Sequence, residues 1–341
     1  MKSKRETIRE KIETKINEAL TEKFLTDDFF ISKNLSRADF SEVLKPVTHI
    51  VESGGKRWRA ILLVLCAEMY GSDSAEERAV CLAPVVEFIH TASLIHDDIE
   101  DASETRRGKP AAHIMFGLDT ALNSGSWLYF FALQLLHDMP FTAKEKYFIS
   151  EITVQAIYNL HIGQALDIQW HRDAEYFPTL AEYEKMIRLK TGTLAGLAGA
   201  LGVFSATSDN VKAQTISLLM HDLGIAFQIL DDVKNITTGI VGKNRGDDIV
   251  EGKKSLPVIF HLETQPNDRA ELVRLFKMAR EEGIYSSAVE AAIALLHTSS
   301  AIERATTYAH QKISQVKTRL AEFDTDGCST AELLLFLDSL K

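Results

Sequence analysis

Cysteine is scarce in this 341-residue chain: Cys66, Cys81 and Cys328 lie far apart and follow no pattern. That sets aside a disulfide framework and a cysteine zinc site, and it fits a reducing cytoplasm. Basic charge is in deficit, with 38 Lys and Arg against 48 Asp and Glu. A nucleic-acid binder would present a basic face, so that class is excluded. No Pro/Ser/Gly linker, low-complexity tract or short repeat interrupts the chain, which reads as a single domain over 1–341. The N-terminus is charged (Lys2, Lys4, Arg5, Glu6) and has no apolar signal core. The most apolar stretch, 194–206, falls short of the ~20 residues that span a bilayer. It reads as a buried helix whose Gly and Ala residues allow close packing. Alternating β-type runs are rare, and the prolines number only seven.

Helical periodicity fills the rest. Ile8, Ile12, Ile16 and Leu20 recur every four residues in a polar background, which predicts a helix over 7–22. The same reasoning predicts helices over 58–70, 76–103, 119–137, 143–171, 180–204, 209–235, 255–265, 268–282, 285–297 and 299–322. Loops are expected at 53–55, 107–110 and 237–247. The fold class is therefore all-α, a helical bundle in which any site is built from facing helices.

Two acidic clusters end apolar helices. In Asp97-Asp98-Ile99-Glu100-Asp101, Asp97 and Asp101 stand one turn apart on a common face. Asp231-Asp232-Val233-Lys234-Asn235 repeats the spacing with Asn235 in the last place. Like charges at that spacing destabilise a bare helix. A solvated acidic face is the plain reading, but acids that continue a buried helix look like ligands for a hard cation such as magnesium. His96-Asp97 resembles a phosphohydrolase dyad, yet no further histidine set accompanies it. A calcium loop would need glycine and alternating ligands in a loop. Basic clusters complete the pattern: Ser53-Gly54-Gly55-Lys56-Arg57-Trp58-Arg59, Arg106-Arg107-Gly108-Lys109-Pro110, and 242–254 with Lys243 and Lys253. Glycine turns opening a helix attract anions, and Lys56 and Arg59 would share one helix face. The 242–254 segment reads as a lid able to exclude water. Acids and bases in one site suit a diphosphate. Carboxylate and phosphate repel by roughly 4 kcal/mol per charge pair at 4 Å, so magnesium must bridge them while Lys and Arg take the remaining oxygens.

Taken together, these motifs resemble the trans-isoprenyl diphosphate synthases, the polyprenyl synthetase family, and within it the eukaryotic-type geranylgeranyl synthases. The match runs over about 45–265: Gly54 to Arg59, the DDxxD motif with Arg106-Arg107-Gly108, Lys190-Thr191, Gln228, the second acidic motif, and Gly252-Lys253. The resemblance implies an isoprenoid-synthase-like bundle around a central cavity and a homodimer, beside the cytoplasmic setting and lack of a transmembrane segment read above. It implies three magnesium ions, two on Asp97 and Asp101 and one on Asp231. Arg106, Lys190, Thr191, Gln228, Lys243 and Lys253 would hold the allylic diphosphate (dimethylallyl, geranyl or farnesyl). Gly55, Lys56, Arg59, His90 and Arg107 would hold isopentenyl diphosphate. Gln164 and Asp167 would face the same cavity. Ala60 replaces the family's usual proline, and Asn235 replaces an acid.

Product length is read from the helix that carries Asp97. Ala92 and Ser93, five and four residues before it, are small and would leave the passage open beyond C15. Tyr129, Phe130 and His161 match the residues that form the floor in eukaryotic-type geranylgeranyl synthases, so a C20 product is expected. If those rings are ordinary core aromatics, the product is C25 or longer. A class I terpene cyclase would lack the Gly54–Arg59 anion site, and a non-catalytic partner subunit would have lost its acids.

Overall fold

The computed structural model describes residues 3–21, 36–71, 74–239, 244–323 and 329–339. Lys2, Gly242, Lys243 and Cys328 fall outside these. In chain order the helices are α1 (Lys4–Ala19), α2 (Ser41–Glu52), α3 (Trp58–Glu68), α4 (Ala75–Glu100), α5 (Ala112–Phe116), α6 (Leu118–Gln134), α7 (Ala143–Arg172) and α8 (Leu180–Ile187). They continue with α9 (Thr193–Thr207), α10 (Asn210–Ile236), α11 (Asp247–Glu251), α12 (Leu256–Thr264), α13 (Arg269–Glu282), α14 (Ser287–Leu296), α15 (Ala301–Ala321) and α16 (Ala331–Asp338). Among the described residues the only strands are β1 (Thr105–Arg106) and β2 (Lys109–Pro110), with Arg106 opposite Lys109. The all-α expectation holds.

The chain forms two compact units. The first comprises Met1–Ile157, Leu194–Leu218 and Glu322–Leu334; the second comprises Tyr158–Thr193, Leu219–Ala321 and Leu335–Lys341. In the first, α4 is the centre, packed by α1, α3 and α6. Helix α1 starts on a capping box in which Ser3 and Glu6 cap each other's amides, and it buries Ile8, Ile12 and Ile16. Gly202 of α9 shows why small residues crowd that helix. A Cβ there would stand 2.1 Å from the Leu63 carbonyl oxygen of α3. In the second unit α12 packs against α15, and α13 against α11 and α14.

The expected helices over 58–70, 76–103 and 299–322 end within a few residues of α3, α4 and α15. Three differences have physical causes. Helix α2 carries Pro46 within it, a residue that normally argues against a helix. Helices α5 and α11 have five residues each, too few to show a period. The 107–110 loop is a two-residue hairpin, with Arg107 at φ 55° and Gly108 at φ 77°, the paired positive φ that such turns need. The apolar 194–206 stretch also belongs to a longer run. The π-helical Arg188–Gly192 joins α8 to α9, and Leu180–Thr207 is long and apolar enough by composition to cross a membrane, as is Ala75–Glu100. Their most apolar windows are 83% and 72% buried in the fold.

Candidate functional site

In the first unit the DDxxD motif lies at the C-terminal end of α4. Asp101 caps the helix, and its amide donates to the Asp97 carbonyl at 2.9 Å, so the one-turn relation holds. The adjacent pair divides. Asp97 is half-buried, whereas Asp98 is fully buried. Arg106, held out by the β1–β2 hairpin, donates from Nε to Asp98 Oδ1 at 2.8 Å and from Nη2 to both Asp98 and Asp97. The second aspartate therefore positions an arginine at the C-terminal end of the helix. Arg107 turns elsewhere and donates to the carbonyls of Gly54 and Ile50. The two neighbouring arginines therefore serve different segments, Arg106 the acidic motif and Arg107 the glycine loop.

The glycine loop has Gly54 at φ +84° and Gly55 at φ +145°. Arg57 follows at φ 50° as the N-cap of α3. A left-handed L-residue costs roughly 1–2 kcal/mol, so other contacts hold it. The kink corrects one expectation. Lys56 precedes the helix, so Lys56 and Arg59 do not share a helix face. Lys56 is exposed in the loop, and Arg59 is half-buried on the first turn. Arg59 stacks over Trp58 at 4.5 Å and lies 3.3 Å from His90 Nε2. Desolvation, followed by the charges of Arg59 and Arg107, pushes the His90 imidazole well below its usual value. A neutral ring that accepts from Arg59 at Nε2 carries its proton on Nδ1.

Ala92 is fully buried, and Ser93 spends its hydroxyl on the His90 carbonyl at 2.8 Å. Tyr129 is buried and stacks on His96 with ring centroids 5.6 Å apart. Phe130 is corrected: it is 72% exposed. Neighbours on a helix differ by 100°, so Tyr129 and Phe130 cannot both face inward. His161, in the second unit, is also exposed.

The second unit repeats the division of its acid pair. Asp231 is half-buried and Asp232 buried on α10. Asp232 accepts from Tyr183 Oη at 2.6 Å and from Gln228 Nε2 at 2.9 Å, while Gln228 Oε1 accepts from Thr191 Oγ1 at 2.8 Å. Burial, with Asp231 beside it, raises the Asp232 carboxyl above the usual range. Asn235 is buried and turned away from solvent, its Oδ1 accepting from the Asp248 amide at 3.3 Å. It anchors the start of α11, a role an amide fills without adding charge.

Lys190 sits in the π-helical turn, a feature frequent at functional sites. Its Nζ meets Asp167 Oδ2 at 2.6 Å, and His171 Nε2 lies 2.8 Å from Asp167 Oδ1. Burial would raise the Asp167 carboxyl, but Lys190 and His171 overcome it and hold the group well below the usual carboxylate range. Gly163 allows this arrangement, because a Cβ there would stand 2.4 Å from the Lys190 amide nitrogen. Gln164 is half-buried one turn before Asp167. Lys253 follows α11, 3.9 Å from Asp248 Oδ1 and paired with Glu251. Arg280 of α13 fastens this corner, donating to the carbonyls of Glu251 at 2.6 Å and His171 at 2.9 Å. The described part of the expected lid is thus a short ordered helix, and Lys243 lies outside the described residues.

The donors fit magnesium. Asp97, Asp101 and Asp231 offer only hard carboxylate oxygens. Among the described residues no three His, Cys, Asp or Glu side chains converge on a metal position by themselves. Magnesium is commonly held by one or two carboxylates, with substrate phosphates and water completing the octahedron.

Residue order did not foretell Asp98, Asp232, Tyr183, Arg57, His171 or Arg280. The doubling of each aspartate was the one available signal, since a second acid adjacent to an expected ligand points off that residue's face.

The polyprenyl synthetase family model matches residues 41–296. A geranylgeranyl pyrophosphate synthase of Dictyostelium discoideum is 32% identical over 309 residues, covering 90% of this chain and 95% of that one. A geranylfarnesyl diphosphate synthase of Aeropyrum pernix is 31% identical over 296 residues, covering 85% and 91%. Among solved structures, the geranylgeranyl pyrophosphate synthetase of Pyrococcus horikoshii superposes with a TM-score of 0.81 at 29% identity, covering 97% of this chain and 94% of that one. With both acidic motifs, the glycine loop and the lysine turn in family order, the chain belongs to the polyprenyl synthetase family and is a trans-prenyltransferase of isoprenoid biosynthesis.

Proposed function

We propose that this prenyltransferase joins isopentenyl diphosphate to an allylic diphosphate with magnesium, and that its product is C20 geranylgeranyl diphosphate. The observation that carries the reading is the repeated use of the second aspartate. Asp98 holds Arg106 and Asp232 holds Gln228, so each acid motif fixes a polar side chain that would serve a diphosphate. Asp97, Asp101 and Asp231 would hold magnesium, three ions in all. When bound, the ions neutralise charge growing on the departing diphosphate. Arg106, Lys190, Thr191, Gln228 and Lys253 would hold the allylic diphosphate, together with Lys243. Gly55, Lys56, Arg59, His90 and Arg107 would hold isopentenyl diphosphate, the neutral His90 donating from Nδ1. The allylic C–O bond breaks with its electron pair leaving on diphosphate. The isopentenyl double bond attacks the allylic carbon, and the released diphosphate takes the proton lost. Positioning and fixed charge supply the rate, and no protein nucleophile is needed.

The C20 length is supported by the buried Ala92, the small Ser93 and the enclosed Tyr129, and by the name of the Dictyostelium relative. A C25 product is the second reading, favoured by the exposed Phe130 and the name of the Aeropyrum relative. The family match extends through both compact units, which supports one catalytic domain over 1–341. A homodimer is supported by an apolar stripe on α6, where Leu118, Leu122 and Phe130 are exposed at four- and eight-residue spacing. A cytoplasmic setting is supported by Cys66 and Cys81, both free.

The test is incubation with magnesium, each allylic diphosphate and labelled isopentenyl diphosphate, followed by chromatography of the products. Label in a C20 chain is expected, with none after chelation of magnesium. No incorporation overturns the activity, a C15 product overturns the length, and a C25 product selects the second reading.

A further inference from the structure

The strained loop of Gly54, Gly55 and Arg57 is held from outside itself, and helix α1 supplies much of the hold. Arg57 is 4% exposed. Its Nε donates to Glu13 Oε1 at 2.9 Å and its Nη2 to Glu13 Oε2 at 3.4 Å, both on α1. Its Nη1 reaches Glu87 of α4 at 3.3 Å, and Nη2 also donates to the Val51 carbonyl at 2.9 Å. One turn before Glu13, Arg9 donates from Nη2 to the Gly55 carbonyl at 3.0 Å. Arg107 takes the Gly54 carbonyl. The carbonyls of both glycines are therefore engaged by arginines. The side chain of the left-handed residue is locked between two carboxylates.

Helix α1 can bear on the loop because it is itself fixed. Ile8, Ile12 and Ile16 are at most 1% exposed, and α1 packs on α3 and α4. Arg9 and Glu13, four residues apart, flank that buried stripe. Residues on one helix face move as a unit, so the loop takes its register from α1.

We propose that α1 is a positioning element for the isopentenyl diphosphate loop: Glu13, through Arg57, and Arg9, through the Gly55 carbonyl, set the left-handed turn that presents Lys56 and Arg59. The inference rests on the reading of that loop as the isopentenyl diphosphate site. It assigns substrate-linked work to residues 4–19, which lie outside the span of the family match. Glu13 and Arg9 would act without touching substrate, through Arg57 and the Gly55 carbonyl. Their effect is the geometry of the cations that would touch substrate.

The experiment compares Glu13→Ala, Arg9→Met and Lys56→Ala in the full chain. Steady-state KM is measured for each substrate, alongside kcat and melting temperature. Glu13→Ala is expected to raise KM for isopentenyl diphosphate roughly five- to fiftyfold, the effect of losing a charge-assisted hydrogen bond. Arg9→Met is expected to raise it about two- to fivefold. In both, KM for the allylic substrate should stay within about twofold. A merely structural helix would lower the melting temperature without separating the two KM values, and that result overturns the proposal. If Glu13→Ala fails to fold, the exposed Arg9 decides: a rise confined to isopentenyl diphosphate supports the proposal, and no rise overturns it. Lys56→Ala separates the two layers. A raised KM there with unchanged Glu13→Ala and Arg9→Met variants overturns the role of α1 alone. An unchanged KM in Lys56→Ala overturns the loop assignment and the proposal with it.

Discussion

Asp97 and Asp98 are neighbours of identical chemistry, and replacing each should give opposite phenotypes. Asp98 has 1% of its side chain exposed and is the main partner of Arg106, itself 11% exposed. Removing one member of a buried ion pair leaves the other charge stranded, at a cost of about 3–5 kcal/mol. Unfolding entropy near 2.1 cal/mol/K per residue comes to about 0.7 kcal/mol/K for a chain of this length, so Asp98→Ala should melt about 4–7 °C lower. Asp97 is different. Its side chain is 16% exposed, Arg106 keeps Asp98 without it, and its loss relieves repulsion from Asp98 and Asp101. Asp97→Ala should melt within about 1 °C of the parent, while turnover falls at least about a hundredfold with the loss of a magnesium ligand. Asp98→Ala should mainly raise KM for the allylic substrate, because Arg106 swings free. Replacing both partners, as in Asp98→Ala with Arg106→Met, should restore much of the melting temperature without restoring that KM. Calorimetry in the absence of metal and substrate, paired with steady-state kinetics, reads both axes. An Asp98→Ala protein that melts like the parent, or an Asp97→Ala protein that melts below Asp98→Ala, would refute the assignment.

Two more outcomes follow from burial. Tyr129→Ala removes an enclosed ring and should lengthen the product by at least one C5 unit, while the exposed Phe130→Ala should leave it unchanged in the isolated reaction; an unaltered product from Tyr129→Ala sinks the floor assignment. Lys254 is 4% exposed, and burial, aided by Arg280, lowers its ammonium to about 8, with the charges of Asp173 and Glu175 opposing the shift. Its folded value lies below the unfolded one, so the folded state pays for the charge at neutral pH and recovers as pH rises from 8 toward 10. Relative to Lys254→Met, the parent should therefore gain up to about 1.4 kcal/mol per pH unit across that window. Denaturant titrations at stepped pH check it, and a flat difference counts against it.

Local order was legible wherever a segment was long enough to show a period. Ile8, Ile12 and Ile16 announced α1, and the apolar approach to Asp97 announced α4. The aspartate motifs, the glycine loop and Lys190-Thr191 were legible as chemistry, because residue type and spacing are properties of the string. Helix α2 hid behind Pro46, and α5 and α11 were too short to carry a signal.

What the string could not decide is which way a side chain faces once helices pack. Asp97 and Asp98 are the same letter; only packing on α4 buries one against Arg106 and leaves the other half-buried at the helix end. Lys56 and Arg59 read as helix neighbours until the left-handed turn at Arg57, held by Glu13 and Glu87, moved the helix start past Lys56. Phe130 looked equal to Tyr129, and a 100° step around α6 separated them. Spacing along one element is set by bond geometry and is written in the sequence. Burial and partner choice depend on contacts between segments dozens of residues apart, and only the folded chain decides them.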